Sequence, residues 1–380
     1  MKIGLISNPR HRAGDRMEFL LLRAAHWLTR FEPADLLLVT GELTAENAAP
    51  EPGFLDAFYA SLARRKSELP VIFPGLETPV TVCGEVLSPA ALTGRIREAA
   101  GAVPDFEAFP FEYLVAEFDG GALPHVERRV LVEPELAAQV TDFHIHTSAA
   151  YCSENMRVDR ALEMAKLSGL GGVSFAEHSG QLYFESDDYW NGRSVWRTRG
   201  TPEGCRAIDR SDEYRAELRT PGCYRHGFEL DVDRNGDVLL SEKERPLAEV
   251  RLGAVHFLVN RSDPREASRE FLFYTESLLK YGVDILAHPF RIFAWAGLEK
   301  PAELFAPVAD LLAHYGVAAE VNFHQNQPEH EFFDLCLRKG VKLSLGSDSH
   351  NLYEVGFFLP HFRFLRELGV AGKLDEVIFR

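Results

Sequence analysis

From about residue 142 onward, helical runs that close on glycine alternate with short apolar stretches. The segments EMAKLSGLGGVSFAEH, TESLLKYGVDILAH, DLLAHYGVAAEVNFH and DLCLRKGVKLSLGSDSH share that layout. Glycine just past a helix relieves the left-handed backbone of a C-cap. The apolar stretches are short and β-branched or aliphatic, as buried parallel strands are. Each finishes on an ionisable residue: His146, His178, Glu229, His256, His288, Glu320 and Asp348. Successive gaps between these markers are 32, 51, 27, 32, 32 and 28 residues. A βα unit takes about 30 residues. The pattern predicts an α/β barrel of seven strands, with polar groups gathered at the C-terminal strand ends, where such barrels place their sites.

The one long gap holds an insertion, residues 180–222, rich in Trp, Tyr and Arg and leaving the barrel directly after His178. Residues 1–138 follow a different pattern. KIGLIS and DLLLVTG predict parallel strands, with MEFLLLRAAHWLTRF a helix between them. FLDAFYASLARRKS predicts a second helix and PVIFPG a third strand. No glycine- or serine-rich linker separates this α/β domain from the barrel at 139–380, and the join falls near residues 128–142.

Alternate residues of a strand face the same way, so His144 and His146 can both reach one ion at a strand end. Alone, the pair equally describes two hydrogen-bonded histidines on a rim. It is not alone: His178, Glu229, His256, His288, Asp348 and His350 all fall at predicted strand ends. One zinc ion takes three or four protein ligands, so a set this large implies two or three ions. Clustered metals suit phosphoester hydrolysis, because one polarises the phosphoryl oxygen while another acidifies bound water. A carboxylate such as Glu229 can bridge two of them.

These motifs, in this order, resemble the PHP family of metal-dependent phosphoesterases from Asp142 to about His361. The resemblance implies a distorted (β/α)7 barrel with a trinuclear metal site. It places the opening HxH on His144 and His146, the next ligand on His178 and the bridging acid on Glu229. Single histidines fall on His256 and His288, and the closing DxH on Asp348 and His350. Glu229 and Asp348 are the carboxylates it ties to the chemistry. Where the family often has His or Asp after HxH, this chain reads YCSEN, which offers Cys152 or Glu154. Cys152 has the better spacing, and thiolate and carboxylate both bind zinc.

Further residues have two readings each. Arg291 could hold a substrate phosphate bidentately or form a surface ion pair. Asn322 could orient a ligand, and Glu320 could fix a ligating imidazole from behind. Arg193, Arg197 and Arg199, with Trp190 and Trp196, could close over a phosphate and stack on a base or ring, or pack as a structural loop. DVDRNGDVLLSE matches a calcium-loop pattern, but the preceding TPGCYRHGFEL predicts a strand where an EF-hand needs a helix, and Asn235-Gly236 suits a tight turn. The N-terminal half is faintly similar to calcineurin-like metallophosphoesterases. Asn8, Glu42, Leu76 and Glu77 stand where that family has ligands, while His11 remains. That likeness implies a domain without metals.

Composition narrows the picture. The formal charge of −16 opposes non-specific duplex nucleic-acid binding and attraction to anionic membranes. Five scattered cysteines without CxxC point to a reducing compartment. MKIGLISNP lacks the features of a signal peptide, and no stretch is long enough to span a bilayer, so a cytoplasmic protein is expected. The expected function is a phosphatase or phosphodiesterase with metal-bound hydroxide as nucleophile. Two or three Zn, Mn or Fe ions would serve it, and a small phosphorylated substrate, a nucleotide among the options, would bind there. The rivals are an amidohydrolase acting on a C–N bond, whose barrels also begin with HxH, and a non-catalytic metal-binding regulatory module.

Overall fold

A computed structural model of the protein describes residues 1–9, 17–41, 54–64, 68–73, 78–192 and 208–380. Arg193, Trp196, Arg197, Arg199, His11, Glu42, Leu76 and Glu77 lie outside the described residues. The chain divides into two compact units, Met1–Glu133 and Pro134–Arg380.

The first unit is built on a five-stranded mixed sheet. Its strands are β1 (Lys2–Ser7), β2 (Leu36–Thr40), β3 (Val71–Ile72), β6 (Glu112–Glu117) and β7 (His125–Val130), in the order β3-β2-β1-β6-β7. The short β4 (Val80–Val82) and β5 (Glu85–Leu87) form a separate hairpin. β1, β2 and β3 are parallel, as KIGLIS and DLLLVTG predicted, whereas β6 and β7 run antiparallel. Ile3, Leu5, Leu36, Leu38, Leu114 and Ala116 build its core with Leu92 and Ile96 of the helix Pro89–Ala100. Ser88 caps that helix, accepting from the Ala91 amide at 3.2 Å, with proline in its first turn. Asn8 closes β1 in the left-handed region, with φ 54°. Its amide donates to Thr40 O at 2.9 Å.

The second unit is a closed barrel of seven parallel strands in the order β10-β11-β12-β13-β14-β8-β9. These are β8 (Thr141–Ile145), β9 (Gly172–His178), β10 (Arg225–Leu230), β11 (Val250–Gly253), β12 (Ile285–Leu286), β13 (Ala318–Asn322) and β14 (Leu343–Gly346). Phe143, Ala176, Leu252, Ala254, Ile285 and Ala318 pack together in its core. The predicted rhythm is visible in the caps. Pro264–Tyr281 ends on Gly282 at φ 95°, and Phe305–Tyr315 ends on Gly316 at φ 70°. Asp263 opens the former by accepting from the Arg265 amide at 2.9 Å.

The barrel is irregular at one seam. β8 meets β14 through a single residue pair, Leu345↔Asp142, and its pairing with β9 shifts register between Asp142 and Ile145. The buried Asp142 carboxylate reinforces that seam by accepting from the amides of His144 (3.2 Å), Ser347 (3.0 Å) and Gly356 (3.0 Å). Burial pushes its pKa up to about 6 against the pull of those donors.

The DVDRNGDVLLSE stretch is entered by strand β10, not a helix. Asp233 Oδ1 accepts from the amides of Asn235 (2.8 Å) and Asp237 (2.9 Å), folding the segment into a turn bridged at Val232↔Val238. Asp231 is turned elsewhere, onto His256. Among the described residues no helix is long and apolar enough to cross a membrane.

Candidate metal centre

The strand ends of the barrel deliver the predicted ionisable groups to one place. His144 and His146 come from the end of β8, His178 ends β9, and Glu229 lies near the end of β10. His256, His288, Asp348 and His350 stand on the loops that follow β11, β12 and β14. His144, His146, His178, His256, His288, Glu229 and Asp348 are all buried. His288 and Asp348 adopt positive φ, 31° and 53°. Such backbone is costly for residues with a side chain and tends to persist at functional sites.

Glu229 is the centre of the cluster. Its Oε1 faces His288 Nε2 at 2.7 Å and His256 Nε2 at 3.1 Å. Its Oε2 faces His144 Nε2 at 3.4 Å and His146 Nε2 at 3.7 Å. Asp348 Oδ1 approaches the same pair, at 3.5 Å from His144 Nε2 and 3.1 Å from His146 Nε2. A third group forms where His178 Nε2 lies 3.4 Å from His350 Nε2 and 3.5 Å from Cys152 Sγ.

Behind the histidines stands a ring of carboxylates. Glu320 Oε1 takes His144 Nδ1 at 2.8 Å, Glu177 Oε1 takes His146 Nδ1 at 3.3 Å, and Asp231 Oδ1 takes His256 Nδ1 at 2.6 Å. His350 Nδ1 donates to the Asp348 carbonyl at 2.7 Å. The carboxylates are themselves held. Glu320 Oε2 accepts from the His288 amide (2.7 Å) and Asn322 Nδ2 (3.1 Å), and Glu177 Oε2 accepts from Thr147 Oγ1 (2.6 Å). A carboxylate on Nδ1 fixes the ring and leaves Nε2 for a metal, which is the usual outer arrangement of metal-binding histidine.

The fit to a cation is visible in what remains unpaired. His144 Nε2 and Glu229 Oε2 are fully buried and have no hydrogen-bond partner. His178 Nδ1 lies 2.6 Å from Glu229 Oε2, yet off the line of a hydrogen bond, so both atoms remain unsatisfied. Buried polar atoms without partners are costly, and several aimed at one point are what a bound ion would satisfy. Four sets of donors lie close enough to share an ion: His146, His178 and His350; His144, His146 and Glu229; His178, Glu229 and His256; and His324, His350 and Glu354. The first three sets are buried apart from the half-buried His350, the fourth is half-buried throughout, and each could hold a metal ion.

The electrostatics favour positive charge. Burial pushes His146 down, but Asp348 and Glu177 beside it raise it to about 9. Burial likewise opposes charge on His256, and Glu229 and Asp231 outweigh it, giving about 10. Burial would raise Glu229 and Asp348, but the surrounding histidines, with Arg291 for Asp348, hold both well below the usual carboxylate range. His288 and His350 are held well below the usual imidazole range, chiefly by burial. They present neutral nitrogens, the form that binds metal.

Other predicted residues are placed as follows. Arg291 is buried, not on the surface. It pairs with Asp348 Oδ2 and lies 4.3 Å over the Trp295 ring, with Nη2 3.4 Å from His256 Nε2. Asn322 Nδ2 approaches Asp348 Oδ2 at 3.4 Å as well as Glu320. Glu154 turns to Asn351, which donates at 2.9 Å, while Cys152 faces the histidines. Burial pushes the Cys152 thiol far up. Trp190 is half exposed and packs edge-on against Tyr189, whose buried ring is the one that approaches His178, at 6.3 Å.

Glu177, Asp231, His324 and Glu354 were not singled out from sequence. Glu177 directly precedes His178 in VSFAEH and Asp231 stands two residues after Glu229, at the start of DVDRNGDVLLSE, so an acid flanking each ligand was the available signal. His324 closes the quoted segment DLLAHYGVAAEVNFH, so the rhythm offered it although Glu320 was taken as that strand's marker, while nothing in the rhythm marks Glu354, which lies on a loop.

No protein-family model matches the chain, and no curated protein matches it. A search of solved structures finds the "putative histidinol phosphatase hisK" of Listeria monocytogenes. It has a TM-score of 0.42 and 14% sequence identity, covering 57% of this chain and 97% of that one. The closed barrel of seven parallel strands is the architecture that the motif resemblance implied, and His/Glu clusters that could hold metal lie at its strand ends.

Proposed function

We propose that the protein is a metal-dependent phosphoesterase acting on a small phosphorylated substrate. The observation that carries this reading is Glu229. Its two oxygens divide the imidazoles, His256 and His288 on one and His144 and His146 on the other. A carboxylate so placed suits a bridge between two cations, and closely spaced cations suit in-line displacement at phosphorus. His144, His146, His178, Glu229, His256, His288, Asp348 and His350 would hold two or three divalent ions such as Zn, Mn or Fe. When bound, the ions supply Lewis-acid polarisation of the phosphoryl group and acidify water.

The remaining work falls to the chain itself. Glu320, Glu177 and Asp231 keep three imidazoles turned with Nε2 inward. Asn322 and Arg291 converge on Asp348 Oδ2 and fix that carboxylate. The Arg291 guanidinium, stacked on Trp295, also puts a fixed positive charge beside His256, where an anionic phosphate would be drawn.

The test is turnover by metal-reconstituted protein against phosphate mono- and diesters, including p-nitrophenyl phosphate, nucleoside monophosphates and histidinol phosphate. Amide substrates run in parallel. Metal-dependent release of phosphate supports the assignment. Amide cleavage without phosphoester turnover would replace it with a C–N hydrolase, and no turnover on either class with metals bound would leave a binding module.

A further inference from the structure

We propose that Cys152, His178 and His350 hold one ion through a sulfur and two imidazole nitrogens, which makes that position selective for zinc over manganese. The inference rests on the metal-centre part of the proposed function, not on its reaction.

The separations carry it. In a tetrahedral zinc site with Zn–S about 2.3 Å and Zn–N about 2.05 Å, ligand atoms stand about 3.6 Å apart for sulfur and nitrogen and about 3.3 Å for two nitrogens. The observed values are 3.5 Å for Cys152 Sγ to His178 Nε2 and 3.4 Å for His178 Nε2 to His350 Nε2. His146 belongs to the same donor group as His178 and His350, with its ring 4.1 Å from that of His178 and 4.3 Å from that of His350.

Lone pairs point the same way. His350 Nδ1–H donates to the Asp348 carbonyl, so Nε2 is the unprotonated nitrogen. That lone pair faces His178 Nε2 at 3.4 Å. Two ring nitrogens and a sulfur gathered this closely suit a cation placed among them.

A second, independent observation concerns the sulfur. The Tyr151 amide donates to Gln181 Oε1 at 2.6 Å, which fixes the orientation of that buried side chain. Gln181 Nε2 therefore faces Cys152 Sγ, at 3.4 Å, and donates to it. A fixed N–H directed at sulfur suits a ligating thiolate, as outer donors do at other metal sites. Thiolate is a soft ligand that selects zinc, whereas manganese prefers oxygen donors. The chain thus differs from a centre with only nitrogen and oxygen donors at the one position where YCSEN departs from the family pattern.

The experiment uses the full chain, stripped of metal and reloaded with Co2+. A thiolate–cobalt charge-transfer band in the near ultraviolet is expected in the wild type and lost in Cys152→Ser and Cys152→Asp. Competition between Zn2+ and Mn2+, read by elemental analysis after desalting, is expected to shift at least tenfold toward Mn2+ in Cys152→Asp. Circular dichroism selects the variants that fold, and Cys152→Asp keeps the test open if the serine form does not. A band that survives in both variants, or is absent from cobalt-loaded wild type, overturns the proposal. Phosphatase turnover without the band sinks this inference alone, and the band without turnover sinks only the assigned reaction.

Discussion

At the scale of single residues, the candidate ligands were legible because each combines a metal-binding side chain with a strand end. Of their supports Glu320, itself a strand-end marker, was legible and does hold His144 Nδ1, whereas Glu177 and Asp231 were not, because an acid beside a ligand has the same sequence signature as any strand carboxylate. Gly346 shows how narrowly that support is built. A Cβ there would come within 1.9 Å of Glu320 Oε1 and 2.8 Å of the His144 Cβ. Glu320 has no room to yield cheaply, since it also holds the His288 amide and Asn322. Gly346→Ala is therefore expected to pull Glu320 off His144 Nδ1 and weaken metal binding by about 10–100-fold, the usual cost of losing an outer partner. Metal titration of folded variant against wild type checks this. Unchanged affinity would mean that Glu320 does not orient His144.

At the scale of elements, the seven barrel strands were legible because helix, glycine and apolar strand recur at a nearly constant interval. The N-terminal unit was legible only in part. β1 and β2 are apolar runs buried on both faces, and they stood out. β7 reads HVERRV, an edge strand whose charged side chains resemble a loop, and the antiparallel half of that sheet escaped notice. Within the barrel, β10 lies between β9 and β11, with Gly227 opposite Ala176 and Val250. A Cβ at Gly227 would meet the Val250 carbonyl oxygen at 1.6 Å. Backbone cannot swing aside as a side-chain tip can. Gly227→Ala is expected to cost about 3 kcal/mol, the upper end of ordinary overpacking. Because β10 carries Glu229, metal content should fall with it. Urea unfolding combined with metal analysis measures both, and wild-type stability would show that β10 and β11 do not pair so closely.

At the scale of the whole molecule, sequence periodicity marked two architectures in one chain, but it could not show which buried groups govern stability. His361 is such a group. It is buried, with Nε2 donating to Gly346 O at 3.1 Å and its ring between Phe323 (5.0 Å) and Phe358 (4.6 Å). Burial pushes its pKa down to about 3, against the upward pull of backbone hydrogen bonds to Gly346 and Val321. In the unfolded chain the same imidazole titrates near its ordinary value of about 6.5. Above that pH both states leave it neutral, and it contributes no pH dependence. Between about 6.5 and 3 the unfolded chain holds one more proton, so this group lowers stability by about 1.4 kcal/mol per pH unit as the pH falls. His361→Gln keeps an amide donor for Gly346 O but cannot take up that proton. The variant is expected to be less stable than wild type at pH 7.5, since its side chain fills the aromatic pocket less well. By pH 4.5 the difference should have moved in its favour by roughly 3 kcal/mol, two units of the window. Urea midpoints of both proteins at the two pH values decide the matter. A stability difference that does not change with pH would mean that His361 is not held neutral in the fold.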